Sequence, residues 1–159
     1  MNTNKRTFLK TALFTTAFSL VSKGDVFASV TPLETLEVLQ EDLFPHADNN
    51  ASAYFSLILK HTKVSDASKK FLRNGAKWLN EEAINTYDAI YTKLSSQKRQ
   101  KILQIIAKES WGESWLQTVL KYILEATLGD PIYGINKKES GWKWLAHESG
   151  QPRPTKVFL

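Results

Sequence analysis

From Leu33 onward, apolar residues recur at helical intervals. Leu33, Leu36, Leu39 and Leu43 stand three or four apart, which places them on one helix face. Thr31 can cap this helix, Pro32 suits its first position, Glu34 completes a capping box, and Pro45 ends it. After a polar stretch, His46 to Asn50, a second helical pattern carries Tyr54, Phe55, Ile58 and Leu59. Ser65 or Asp66 can cap a third, with Phe71, Leu72, Trp78 and Leu79, running on through Ala83 and Tyr87 towards Ile90. Gly75 inside it costs about 1 kcal/mol against alanine, so it either admits a neighbouring helix or marks a break. Ser95-Ser96 opens a fourth helix, with Ile102, Leu103, Ile105 and Ile106 on its apolar side and Lys98, Arg99 and Lys101 on its wet side. A fifth, from about Gly112 to Leu128, has the strongest stripe: Leu116, Val119, Leu120, Ile123, Leu124 and Thr127. Gly129 is placed to end it.

Beyond Leu128 the pattern breaks. Residues 129–159 hold four of the seven glycines and three of the five prolines, with Tyr133, Trp142 and Trp144. No alternating run is long enough for a sheet. The expected fold is all-α: a helical domain of about five helices over 29–128 and an irregular Gly/Pro/Trp-rich tail over 129–159. Large aromatics in such a tail either pack back on the bundle or anchor a partner, and Tyr133, Trp142 and Trp144 are the candidate interface residues.

Residues 1–28 read as an export signal. Lys5, Arg6 and Lys10 form a basic start, an apolar stretch runs from Thr11 to about Val21, and Val26-Phe27-Ala28 offers small residues for cleavage after Ala28. The apolar part is too short to span about 30 Å of hydrocarbon. The basic part resembles the twin-arginine consensus S-R-R-x-F-L-K: Arg6, Phe8, Leu9 and Lys10 match, and Lys5 stands in place of the first arginine. A general secretion signal is the alternative. Removing this segment takes three positive charges from the formal net charge of +5, leaving 17 basic and 15 acidic residues. The remaining body is nearly neutral, which points away from nucleic acid.

Composition narrows the chemistry. With no cysteine among 159 residues, the chain has no disulfide, no haem c attachment and no thiolate metal site. His46, His61 and His147 lack the spacing of a helical metal site, and His46-Ala47-Asp48 reads as a solvated loop. There is no G-x-S-x-G elbow, no G-x-G-x-x-G and no phosphate loop. Glu81-Glu82 and Lys137-Lys138 read as solvated surface. No catalytic, cofactor-binding or metal residue is assigned. A folded-protein export signal on a chain without a cofactor site suggests that the folded passenger is a second protein.

Four segments carry a resemblance. Gly129-Asp130-Pro131-Ile132-Tyr133-Gly134-Ile135-Asn136 with Gly141-Trp142 resembles the D-P-x-Y-G-G-N…G-W signature of the gluconate 2-dehydrogenase subunit 3 family. Leu43-Phe44-Pro45, Phe71-Leu72-x-x-Gly75-x-x-x-Leu79 and Leu94-Ser95-Ser96-Gln97-Lys98-Arg99 resemble its upstream segments. Two departures stand out: Ile135 replaces the second glycine, and residues 145–150 lack the usual G-x-P-G ending. The resemblance implies an accessory role in a periplasmic complex at the inner membrane. A large subunit would hold FAD and oxidise the substrate, and a multihaem cytochrome c subunit would pass the electrons on. The small subunit would bring the flavoprotein through the twin-arginine machinery and stabilise it. Two other readings are a stand-alone periplasmic helical protein, and a small subunit contributing His147 or Tyr133 to the dehydrogenase active site.

Overall fold

Helix α1 (Pro32–Leu43) begins with its proline at the first helical position, where a missing N–H costs nothing, and stops short of Pro45. The computed structural model describes residues 30–45 and 50–157. Residues Lys5, Arg6, Phe8, Leu9, Lys10 and Ala28 of the export signal, and the His46-Ala47-Asp48 loop, lie outside these. Helices α2 (Asn50–Lys60), α3 (Asp66–Tyr87), α4 (Ser96–Ile106), α5 (Ser110–Leu128) and the short α6 (Ser140–Trp144) follow. No strand occurs among the described residues. The fold is all-α, as the periodicity predicts.

Local chemistry sets the ends of α3. Ser65 takes an extended conformation and its Oγ accepts a hydrogen bond from the Ser68 N–H at 3.1 Å. At the other end Asp88 turns left-handed (φ 52°), which its short polar side chain tolerates, and its N–H closes on the Ile84 carbonyl at 2.9 Å. The helix therefore stops at Tyr87 instead of reaching Ile90. Ile90 is buried at the entry to a single 3₁₀ turn, Tyr91–Lys93.

The core draws on every long helix. Leu36 and Leu39 of α1, Phe55 of α2, Leu72 and Leu79 of α3, Ile102 of α4, and Trp115, Val119 and Ile123 of α5 are fully buried. Gly75 is where α5 meets α3. A Cβ at that position would lie 2.1 Å from Trp115 Nε1, so only glycine lets the indole lie against the backbone. The same indole N–H donates to the Leu72 carbonyl at 3.3 Å. The glycine admits a helix; it does not break one. On α5 itself Val119, Ile123 and Thr127 are buried, while Leu120 and Leu124 are each 36% exposed. The stripe in the sequence is wider than the face that the core uses.

A buried polar junction joins α1, α3 and α4. Arg99 donates from Nε to Asp42 Oδ2 at 2.6 Å and from Nη2 to Oδ1 at 3.0 Å, with Nη1 on the Leu94 carbonyl at 3.1 Å. The fully buried Tyr91 donates its hydroxyl to the same Asp42 Oδ2 at 2.6 Å. Asn80 donates to Thr35 Oγ1 at 2.8 Å and accepts from the Tyr91 N–H at 3.0 Å. Arg99 thus leaves the wet side of α4, where its neighbours Lys98 and Lys101 stay exposed. Burial and the Asp42 carboxylate hold the Tyr91 phenol protonated far above its ordinary range, and the same carboxylate raises the Arg99 guanidinium.

Candidate functional site

A helix leaves its last four carbonyls without helical partners. At the end of α5 the residues that follow supply partners for three of them. The Gly129 N–H donates to Glu125 O and the Asn136 N–H to Ala126 O, both at 2.9 Å. The Trp142 indole N–H donates to Leu128 O at 2.6 Å, and Asn136 Nδ2 donates to Gly129 O at 3.0 Å. Asn136 is fully buried and left-handed (φ 44°), a conformation asparagine adopts more readily than most residues. Its Oδ1 accepts from the Gly141 N–H at 2.8 Å, so one side chain bridges both halves of the tail. A Cβ on Gly141 would lie 1.9 Å from Thr127 O, so nothing larger fits there.

The segment before Asn136 is a 3₁₀ turn, Pro131–Tyr133. Asp130 caps it by accepting from the Ile132 N–H at 3.0 Å, Pro131 takes the first position, and Gly134 closes it with φ 76°. Only Gly134 of the Gly134-Ile135 pair needs the left-handed region. Ile135 is instead buried, with its side chain over Gly129. This is why the isoleucine is tolerated where the family pattern has a second glycine. Apart from the two 3₁₀ turns, Pro131–Tyr133 and Lys137–Glu139, and α6, one helical turn that carries both Trp142 and Trp144, the tail is irregular. Arg153 folds back across this hardware. It donates to Asp130 Oδ1 and Glu139 Oε1, both at 3.0 Å, and its guanidinium lies 4.5 Å from the centre of the Trp142 ring.

The three candidate interface rings have three different sets of neighbours. Trp142 is half-buried between the end of α5 and Arg153, and His147 meets its ring edge-on at 5.5 Å. Trp144 is 52% exposed and packs edge-on against Phe44 at 5.5 Å. Tyr133 is exposed and lines a cleft of about 420 Å³ between α2 and the end of α5. Leu57, Ile58, Val64 and Ile135 make the cleft largely apolar, and Tyr54, His61, Lys63, Glu125 and Asp130 give it polar points. In its wall Tyr54 donates to Glu125 Oε2 at 3.0 Å. Burial, then the Glu125 charge, push the Tyr54 phenol up to about 12. His61 is tied locally, its Nδ1 accepting the Lys63 N–H at 3.1 Å. Among the described residues, no three His, Cys, Asp or Glu side chains are grouped to hold a metal ion.

Sequence reasoning missed Asp42, Tyr91 and Asn80. Each is an ordinary residue in an ordinary pattern, and only the packing of helices distant in sequence brings them together. The one available signal was Arg99 at the end of a resembling segment.

These features define a small all-α domain whose recurrent motifs are joints between helices, closed by a C-terminal clasp beside an apolar cleft. Residues 31–150 match the gluconate 2-dehydrogenase subunit 3 family, and the chain belongs to that family. No curated protein and no solved structure gives a significant match. Arg153 lies just outside the matched span, although it grips Asp130 inside it.

Proposed function

We propose that this chain is the non-catalytic small subunit of a gluconate 2-dehydrogenase-like complex, escorting a folded FAD-containing large subunit through export and stabilising it. The observation that carries this reading is the use made of the family signature. Asp130 Oδ1 caps the Pro131–Tyr133 turn, the Asn136 amide joins Gly129 O to the Gly141 N–H, and the Trp142 indole N–H is engaged by Leu128 O at the end of α5. The Asn136 amide and the Trp142 indole N–H maintain a shape and are spent on the backbone, while Asp130 caps its turn and also borders the cleft. The apolar cleft beside it, with Tyr133 and Leu57 exposed at its edge, suits a partner surface. Trp144 beside Phe44 is a second contact candidate. FAD belongs to the large subunit in this reading. Haem c belongs to a multihaem cytochrome subunit, since covalent haem attachment needs cysteines and this chain has none.

The signal is twin-arginine-like and delivers the complex to the periplasmic face of the inner membrane. Arg6 is the retained arginine, and lysine cannot reproduce its planar fork of donors. Cell fractionation of an Arg6→Lys variant tests the escort role. Both this chain and its flavoprotein are expected to stay in the cytoplasm. Normal export of both overturns the twin-arginine reading; export of the flavoprotein alone overturns the escort.

A further inference from the structure

A second depression, of about 360 Å³, lies away from the tail and has the opposite character from the cleft. Trp78, Glu81, Glu82 and Asn85 line it from α3, and Trp111 from the first turn of α5. The α3 residues are spaced by three, four and seven, so they share one helix face. Trp78 and Trp111 meet at 5.1 Å between centroids and 71°, making two walls of a corner. Both rings are only half-buried, as are Glu81 and Glu82, which the sequence pattern alone assigned to solvated surface.

Every group in this lining is electron-rich or neutral. The indole faces carry the negative side of the ring quadrupole, and ionised glutamates only accept hydrogen bonds. No cationic side chain is among the lining residues. Lys77 approaches Glu81 at 3.6 Å from outside and is 65% exposed, a surface pair that a better-placed cation displaces readily. Glu82 accepts a hydroxyl hydrogen from Thr86 at 3.2 Å, a neutral donor, and among the described residues no ion pair is made to it. An anion is repelled here, and a neutral polyol can donate its hydroxyls to the two carboxylates but leaves their negative charge unbalanced. A guanidinium satisfies the whole lining, since its flat face stacks on indole and its edge donates in pairs to carboxylates.

We propose that the Trp78–Trp111 corner is a receptor for an arginine side chain presented by a partner protein. The guanidinium chemistry stands on this pocket alone. The assignment to a partner rests on the subunit reading above, and the pocket's charge is what selects that partner's residue.

The first arm of the test uses the full-length chain labelled with ¹⁵N and titrated with N-acetyl-arginine amide, following the indole N–H resonances. These are assigned with Trp78→Phe and Trp111→Phe variants. The Trp78 and Trp111 signals are expected to shift saturably, and neutral N-acetyl-citrulline amide is expected to leave them in place. The exposed-edge double variant Glu81→Gln/Glu82→Gln should bind about tenfold more weakly while keeping its helical spectrum. Equal shifts with citrulline, or no saturable shift at all, overturn the guanidinium site. The second arm measures flavoprotein copurified with Glu81→Lys/Glu82→Lys. A several-fold loss supports the partner assignment; an unchanged yield, with arginine amide still bound by the unaltered chain, makes the occupant a free cation and overturns it. If the unaltered chain itself copurifies with no flavoprotein, the subunit reading fails and the partner assignment fails with it, while the first arm still decides the chemistry.

Discussion

Two aspartate–arginine locks hold this protein, and they differ in kind. In the bundle, the Asp42 side chain is 4% exposed and Arg99 17%, the contact is two-pronged, and Tyr91 adds a third bond. In the tail, Asp130 is 23% exposed and Arg153 28%, the contact to Asp130 is single, and the other Nη of the same guanidinium is taken by Glu139. Removing one partner of a buried pair strands a charge in low dielectric, whereas an exposed pair is worth little. The polar junction of the bundle is therefore sensitive to the loss of either charge. The tail is closed by neutral hydrogen bonds centred on Asn136, with Arg153 as an outer brace. A scaffold built this way has a rigid body and a clasp whose hold can be weakened without unfolding it.

Arg99→Ala is the severest way to attack that contrast. It leaves the Asp42 carboxylate buried and the Leu94 carbonyl short of a partner. The expected loss is about 3–5 kcal/mol, out of the roughly 5–15 kcal/mol typical of a domain. Urea unfolding followed by circular dichroism measures it, and a loss under about 1 kcal/mol would equate this lock with a surface pair. Arg99→Lys should recover only part of the loss, because an ammonium cannot hold both oxygens of Asp42 in a planar fork.

Asn136→Ala comes next. It removes a donor to Gly129 O and an acceptor for the Gly141 N–H, at about 1–3 kcal/mol for each buried group left unpaired. The effect should be local. Amide hydrogen exchange should lose protection near Gly129 and Gly141 while Leu72 and Val119 keep theirs. A uniform loss across the chain would show that tail and bundle unfold as one unit. Arg153→Ala should cost less than about 1 kcal/mol, since its ion pairs are partly solvated. Added salt should narrow the difference between this variant and the unaltered chain, and no such narrowing would mean that stacking on Trp142 does most of the bracing.

Much of this was legible from periodicity. The five long helices follow the apolar spacing, and Ser65, Asp66 and Ser95 sit where their helices begin. Gly75 was legible as a choice between approach and break, and Trp115 decides it. The polar junction was not legible, because Asp42 and Arg99 are 57 residues apart and spacing says nothing about which helices meet. The clasp was half-legible. Its motif stood out, but as candidate interface; that Trp142 turns its indole N–H onto Leu128 depends on α6, a single turn too short to leave a periodic signal. The wide stripe on α5 misleads in the other direction, since Leu120 and Leu124 meet solvent although the spacing groups them with Ile123.

The last effect, confined to alkaline pH, concerns a third aspect of the same chemistry, a phenol held by a carboxylate. Tyr54 donates to Glu125 in the cleft wall much as Tyr91 donates to Asp42 in the core. Tyr54 is raised from 10.0 to about 12, and Tyr91 is raised further because it is more deeply buried. A raised phenol binds its proton more tightly folded than unfolded. Its contribution to stability is thus complete below pH 10 and is lost as the pH climbs through the folded value near 12. Stability should fall across that window, and less steeply in Tyr54→Phe, with Tyr91 accounting for the slope that remains. Ultraviolet difference titration of the folded chain should show the Tyr54 phenol ionising near pH 12, later than a free tyrosine. Ionisation at the ordinary value would mean that the Tyr54–Glu125 bond opens to water, and that the cleft wall, unlike the polar junction, is held by apolar packing alone.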